Sequence, residues 1–179
     1  MRTHAVRLVA GRGAPRLAAA LAVAALAAAT AAHATVVVPM SDPDLVRNSG
    51  LVLEGRVDGV RSEWNADRTQ IHTVAEIVVG EFLKGEPADG TITLRLLGGT
   101  VGEITQAVVD GPTFRQDEMV ILMLRPDFRQ TLFPITGFYE GKLAIAIDPA
   151  TGTRSVQGRG VSTETYLATL REVVAAQGR

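Results

Sequence analysis

The chain has 179 residues, 46% of them hydrophobic and 21% charged, with 18 Lys+Arg against 19 Asp+Glu and no cysteine. This is globular composition, which excludes a disordered chain, and the length accommodates one domain with a core of its own. The missing cysteines exclude disulfides, a thiol nucleophile, a lipidated N-terminal cysteine and a structural zinc site built on thiolates.

Residues 1–34 read as an export signal. Arg2, Arg7, Arg12 and Arg16 precede the apolar run from Leu17 to Ala29, and Ala32-His33-Ala34 supplies an A-x-A cleavage motif. The apolar run is shorter than the roughly 20 residues that cross a bilayer core. The expected product is therefore a periplasmic or extracellular chain that begins at Thr35 and keeps no stable membrane anchor. No twin arginine is present, which points to the general secretory route. Cleavage removes four arginines and no acid, leaving 14 basic against 19 acidic residues, a net of −5. With no basic run either, nucleic acid is not an expected partner.

An N-terminal segment, 35–50, comes next. Thr35 to Pro39 is β-branched enough for an edge strand, and Ser41-Asp42-Pro43-Asp44 opens a short helix with a capping hydroxyl, an early proline and an acid at the positive end of the dipole. Asn48-Ser49-Gly50 stops it. A β domain is expected over 51–148. Leu51, Leu53 and Val57 alternate with Glu54, Arg56 and Asp58, with Gly55 and Gly59 as bulge positions. A polar loop over 62–70 then leads to Ile71–Val79, where Ile71, Thr73, Ala75, Ile77 and Val79 share a face. Gly80 to Gly90 is expected to leave the sheet and turn, and Thr91–Leu97 returns as a strand.

The next glycines, in Arg95-Leu96-Leu97-Gly98-Gly99-Thr100-Val101-Gly102-Glu103-Ile104, fit neither the Walker loop nor the dinucleotide fingerprint. The segment after Gly102 resumes β composition through Val109, and Glu103 would repel a phosphate. A β-hairpin with glycines at positive φ is the expectation. Glu118–Leu124 reads as a strand buried on both faces, and Leu143–Ile147 as one more. In 149–179 a linker precedes a helix starting at Ser162-Thr163-Glu164-Thr165, with Tyr166, Leu167, Leu170, Val173 and Val174 as its apolar stripe. The expected fold is mainly β: a small OB-like barrel of five to six strands with a short N-terminal helix and a C-terminal amphipathic helix.

Several landmarks lie in a distinctive order: Gly55-Arg56-Val57, Trp64, Ile71-x-Thr73, Phe82-Leu83-Lys84-Gly85, Gly98-Gly99 with Gly102, Gly111-Pro112 with Phe114, and Glu118-x-Val120-x-x-x-Leu124. In these the chain resembles a family of exported bacterial β-barrel proteins of unassigned function, over about Leu45 to Ile147. It is more distantly similar to the OB-like barrel of netrin-type modules and tissue inhibitors of metalloproteinases. Those inhibitors chelate a catalytic zinc through an N-terminal cysteine held by disulfides, and a chain without cysteine cannot carry that mechanism.

Candidate chemistry is sparse. His72 is the one histidine left after signal removal, so a Ser-His-Asp triad would have to run through it, and no G-x-S-x-G elbow is present. His72 and Glu76 share a strand face, either as an acid-base pair or as ordinary surface groups. Asp110, Asp117 and Glu118 are close in sequence but match no calcium loop. No catalytic residue, metal site or cofactor is expected. Trp64, flanked by Arg61 and Arg68, is the candidate binding anchor, with a core lid as the other reading of its indole. The expected function is an exported binding module whose ligand is a secreted protein such as a protease, or an envelope polysaccharide. The alternative is a small secreted hydrolase using carboxylates or His72.

Overall fold

The computed structural model describes residues 39–85 and 90–177. The signal segment, its cleavage motif and the edge strand expected before Pro39 thus fall almost wholly outside the described residues.

The first element is the short helix α1, Asp42–Asn48. Ser41 is its N-cap: the hydroxyl accepts a hydrogen bond from the Asp44 N–H at 3.3 Å, and Pro43 sits in the first turn, where a missing N–H costs nothing. At the other end Lys84 donates through Nζ to the Val46 carbonyl at 2.7 Å, a cation on the negative pole of the helix.

Nine strands come next among the described residues: β1 (Leu51–Trp64), β2 (Ile71–Lys84), β3 (Thr91–Leu97), β4 (Gly99–Val101), β5 (Ile104–Gln106), β6 (Met119–Leu124), β7 (Lys142–Ile147), β8 (Arg154–Val156) and β9 (Val161–Ser162). Helix α2, Thr163–Gln177, ends the described chain. Seven strands form one antiparallel sheet in the order β3-β2-β1-β6-β7-β8-β9, and β4 and β5 form a separate hairpin. Among the described residues no pairing joins the outer strands β3 and β9. The observed architecture is therefore an antiparallel sheet with two edges.

Three register shifts interrupt the β1–β2 ladder. Leu83 and Gly80 are the extra residues on β2, and Asp58 is the extra residue on β1. Such bulges bend and coil a strand, which is how two strands of 14 residues fit a small domain. The Asp58 bulge also changes which side chains share a face. Before it Leu51, Leu53 and Val57 point to one core; after it Val60, Ser62 and Trp64 lie opposite Ala75, Thr73 and Ile71 and take that same face.

The sheet is buried on both sides. On the first side, here the loop face, Leu53, Ile77, Leu94 and Leu122 pack beneath Phe114, Phe128 and Ile135 from the strand connections. On the second, the helix face, Val52, Ile121 and Met123 meet Leu45 and Val46 of α1 and Tyr166, Leu167 and Leu170 of α2. The near-continuous apolar run of β6 is a direct result, since its alternate residues feed the two cores.

Several expectations are corrected. β2 does not leave the sheet at Gly80: the glycine is absorbed as a bulge, and pairing with β1 resumes through Lys84. β1 runs on to Trp64, so the polar loop shrinks to 65–70. The strand expected through Val109 ends at Gln106, and β8 and β9 carry no readable pattern because each is three residues or fewer. The N-terminal helix, the 98–106 hairpin and the C-terminal helix stand where the sequence places them.

Candidate functional site

Where β3 passes into β4, Gly98 and Gly99 have φ of +93° and +136°. A Cβ on Gly98 would lie 2.7 Å from the Gln106 carbonyl oxygen, and one on Gly99 would lie 2.6 Å from Thr73 Oγ1. Glycine is required here because backbone is pressed against backbone and hydroxyls at a φ that L-residues avoid. This close approach lays the β4–β5 hairpin over the far ends of β1 and β2.

A groove of about 390 Å³ opens beside the hairpin. Val60, Leu96 and Phe114 give it apolar surface; Ser62, Thr73, Thr100, Gln106 and Thr113 give it neutral hydrogen-bonding groups; none of its lining side chains is ionisable. The hydroxyls form a short relay. Thr73 Oγ1 donates to the Gly98 carbonyl at 2.8 Å, lies 3.3 Å from Ser62 Oγ, and Ser62 Oγ accepts from the Thr100 N–H at 3.3 Å. These groups hold the hairpin corner. Gln106 Oε1 accepts from the Ile71 N–H at 2.8 Å. The Gln106 side-chain NH₂ and the Thr113 hydroxyl have no hydrogen-bond partner among the described residues, and Thr113 is exposed.

Such a lining binds by shape, apolar contact and neutral hydrogen bonds. It holds no group that could take up or release a proton near neutral pH, so it offers no general acid or base.

Trp64, Arg61 and Arg68 are not brought together. Trp64 is half-buried on the strand end opposite Ile71, on the loop face. Arg61 points to the other side of the sheet, where Nη1 meets Glu76 Oε1 at 2.6 Å. Arg68 is exposed at the hairpin tip with φ +56°. The anchor drawn from these three residues therefore has no common surface, and the groove residues were missed. The signal for them was present in the glycine pair and the threonines beside it, which the sequence presents only as a turn.

The acid-base candidates are also separated. Glu76 is engaged by Arg61, and His72 Nε2 is buried with no hydrogen-bond partner among the described residues. Asp117 pairs with Arg56 at 2.8 Å. Glu118 pairs with Lys142 at 2.7 Å, and that ammonium lies 5.0 Å from the centroid of the Phe114 ring. No group of three or more His, Asp or Glu side chains is arranged to hold a metal ion among the described residues, and no helix there is long and apolar enough to cross a membrane. Comparison with protein-family models, with curated proteins and with solved structures finds no match.

Proposed function

We propose that the protein is an exported, non-catalytic binding module that takes a segment of another exported protein into the groove between the β4–β5 hairpin and the 107–114 connection. The observation that carries this reading is the groove itself: a recess of about 390 Å³ with apolar surface, no ionisable lining, and two unengaged hydrogen-bonding groups in Gln106 and Thr113. A few polar groups set among apolar surface are the usual composition of a recognition pocket. A protein segment suits the groove better than a polysaccharide. Sugar rings commonly stack on an exposed aromatic face, and Phe114, the aromatic residue of the lining, is only 8% exposed.

The OB-like kinship belongs to the same proposal. Its support is the bulged, coiling pair β1 and β2, the kind of strand from which small barrels are built. Export rests on the signal-like character of residues 1–34. The hydrolase alternative has less behind it, because His72, Glu76, Asp117 and Glu118 each have separate surroundings and none lines the groove.

The test is capture from culture medium by the purified exported chain and by Val60→Arg. Val60 is 36% exposed and lines the groove, so the longer cation fills the recess without entering either core. A discrete exported protein retained by the parent chain and lost with Val60→Arg is expected. Equal retention by both, or none by either, would refute the reading.

A further inference from the structure

Strand β3 is an edge of the seven-stranded sheet. Its bonding pattern is set by the register. The Gly98 N–H donates to the Ile71 carbonyl at 2.8 Å and the Val79 N–H to the Gly90 carbonyl at 2.8 Å, while Leu96, Leu94 and Ile92 stand opposite Thr73, Ala75 and Ile77. Even-numbered residues of β3 therefore bond to β2. In an antiparallel ladder the odd-numbered residues then turn N–H and C=O the other way, away from the sheet. The Leu97 N–H meets the Leu132 carbonyl at 3.2 Å, where the 125–141 connection comes alongside. Beyond that point the outward N–H groups of Thr91, Thr93 and Arg95 have no hydrogen-bond partner among the described residues.

A slot of about 260 Å³ runs along this bare stretch, lined by Thr91, Ile92, Thr93 and Arg95 of β3 and by Phe128 and Arg129 of the connection. The two sides of the slot differ in chemistry. Ile92 and Phe128 belong to the loop-face core. Thr91, Thr93 and Arg95 alternate with that core and are exposed on the opposite side. Arg129 lies over the Phe128 ring at 4.9 Å and makes no ion pair among the described residues; Arg95 has only Glu63, at 3.8 Å.

We propose that the β3 edge is a strand-addition site for an extended peptide segment in which acidic residues alternate with apolar ones. An added strand satisfies the outward backbone groups of Thr91, Thr93 and Arg95. Its alternate side chains point to opposite sides, apolar ones toward Ile92 and Phe128 and carboxylates toward Arg95, while Arg129, over the Phe128 ring, adds a second positive charge to the slot. A second copy of the chain is the other occupant that a bare edge invites. Charge selects against it: antiparallel self-pairing of β3 brings two copies of Arg95 and of Arg129 to one seam with no added carboxylate. The inference shares with the groove proposal only the claim that the domain binds protein, and it uses different residues.

The experiment is amide hydrogen exchange and ¹⁵N chemical-shift mapping of the full exported chain with acetyl-Val-Glu-Val-Glu-Val-Glu-amide. The expected result is slowed exchange confined to Thr91, Thr93 and Arg95. Affinity should fall by about tenfold or more for the Val-Lys counterpart of the peptide and for the doubly substituted Arg95→Glu, Arg129→Glu chain, which should prefer the Val-Lys peptide instead. N-methylation of alternate peptide amides should abolish binding and requires no change to the protein. Val60→Arg should bind the peptide as the parent chain does, so the groove reading and this one fail separately. Equal binding of the Val-Glu and Val-Lys peptides, absence of binding, protection elsewhere than β3, or a β3-paired dimer in sedimentation would each overturn the proposal.

Discussion

The two faces of the sheet are built from the same strands and finished differently. The helix face is sealed by regular elements and tied at its margins. Arg154 pairs with the buried Glu54, Arg171 reaches Glu81 at 2.7 Å and Arg159 reaches Asp42 at 2.7 Å. Beneath α2 the Tyr166 phenol has its pKa raised, by burial and then by the nearby Asp42 carboxylate. The loop face is covered by single side chains from connections, with Phe114, Phe128 and Ile135 as its lids. Both the groove and the β3 slot lie where that cover ends. A sheet that must hold together and also present a surface can divide the tasks between its sides, because loops leave gaps that a packed helix does not.

The sharpest test of this division is Leu170→Ala. Leu170 is fully buried under α2, and its truncation should cost about 3 kcal/mol in denaturant unfolding. Binding of the Val-Glu peptide per folded molecule should be unchanged; a loss of binding in the folded fraction would mean that the faces are not independent. Trp64→Ala probes the margin of the loop face. The indole is only half-buried, so we expect about 1.5 kcal/mol, less than for a fully buried aromatic. A cost equal to that of Leu170→Ala would make Trp64 a lid in its own right.

The smallest effect is that of acid. The Asp44 carboxyl is held below its ordinary 3.8 by the Ser41 hydroxyl, that of Asp127 by Arg125, and that of Asp148 by the N–H groups of Ala150 and Thr151. Carboxyls lowered on folding add stability that is present above the unfolded value of 3.8 and is lost as pH falls through the folded values. All three are exposed, so solvent screens them strongly. The melting temperature should therefore be level above about pH 5 and decline gently below about pH 4. A decline already under way near pH 6 would show that these three carboxyls do not set the acid limit of stability.

Legibility in the sequence tracked locality. The cap at Ser41, the hairpin glycines and the stripe of α2 are each set within a few residues, and each was readable. The two-sided burial of β6 was also readable, since the run Met119–Leu124 has no polar member to face water. What could not be read was set by pairing. Gly80 has the composition of a strand end, yet Glu54 and Gly55 across the ladder make it a bulge. Arg61 and Trp64 look like neighbours in sequence, but the pleat sends them to opposite sides. The groove assembles Val60, Leu96, Gln106 and Phe114 from four separate segments, and the β3 slot depends on which edge the chain leaves uncovered.

The extra residue at Asp58 sets curvature, and its loss would leave the choice of faces alone. Gly59 to Trp64 already alternate against Glu76 to Ile71, so its removal would keep Val60, Ser62 and Trp64 opposite Ala75, Thr73 and Ile71 and take away only the local bend of β1. The hairpin that packs on Ser62 and Thr73 would then meet a straighter strand, and the recess beside Gly99 would change in depth while keeping its neutral, hydroxyl lining. Chain length at this position is thus a way to alter the size of what the recess admits without altering its chemical class.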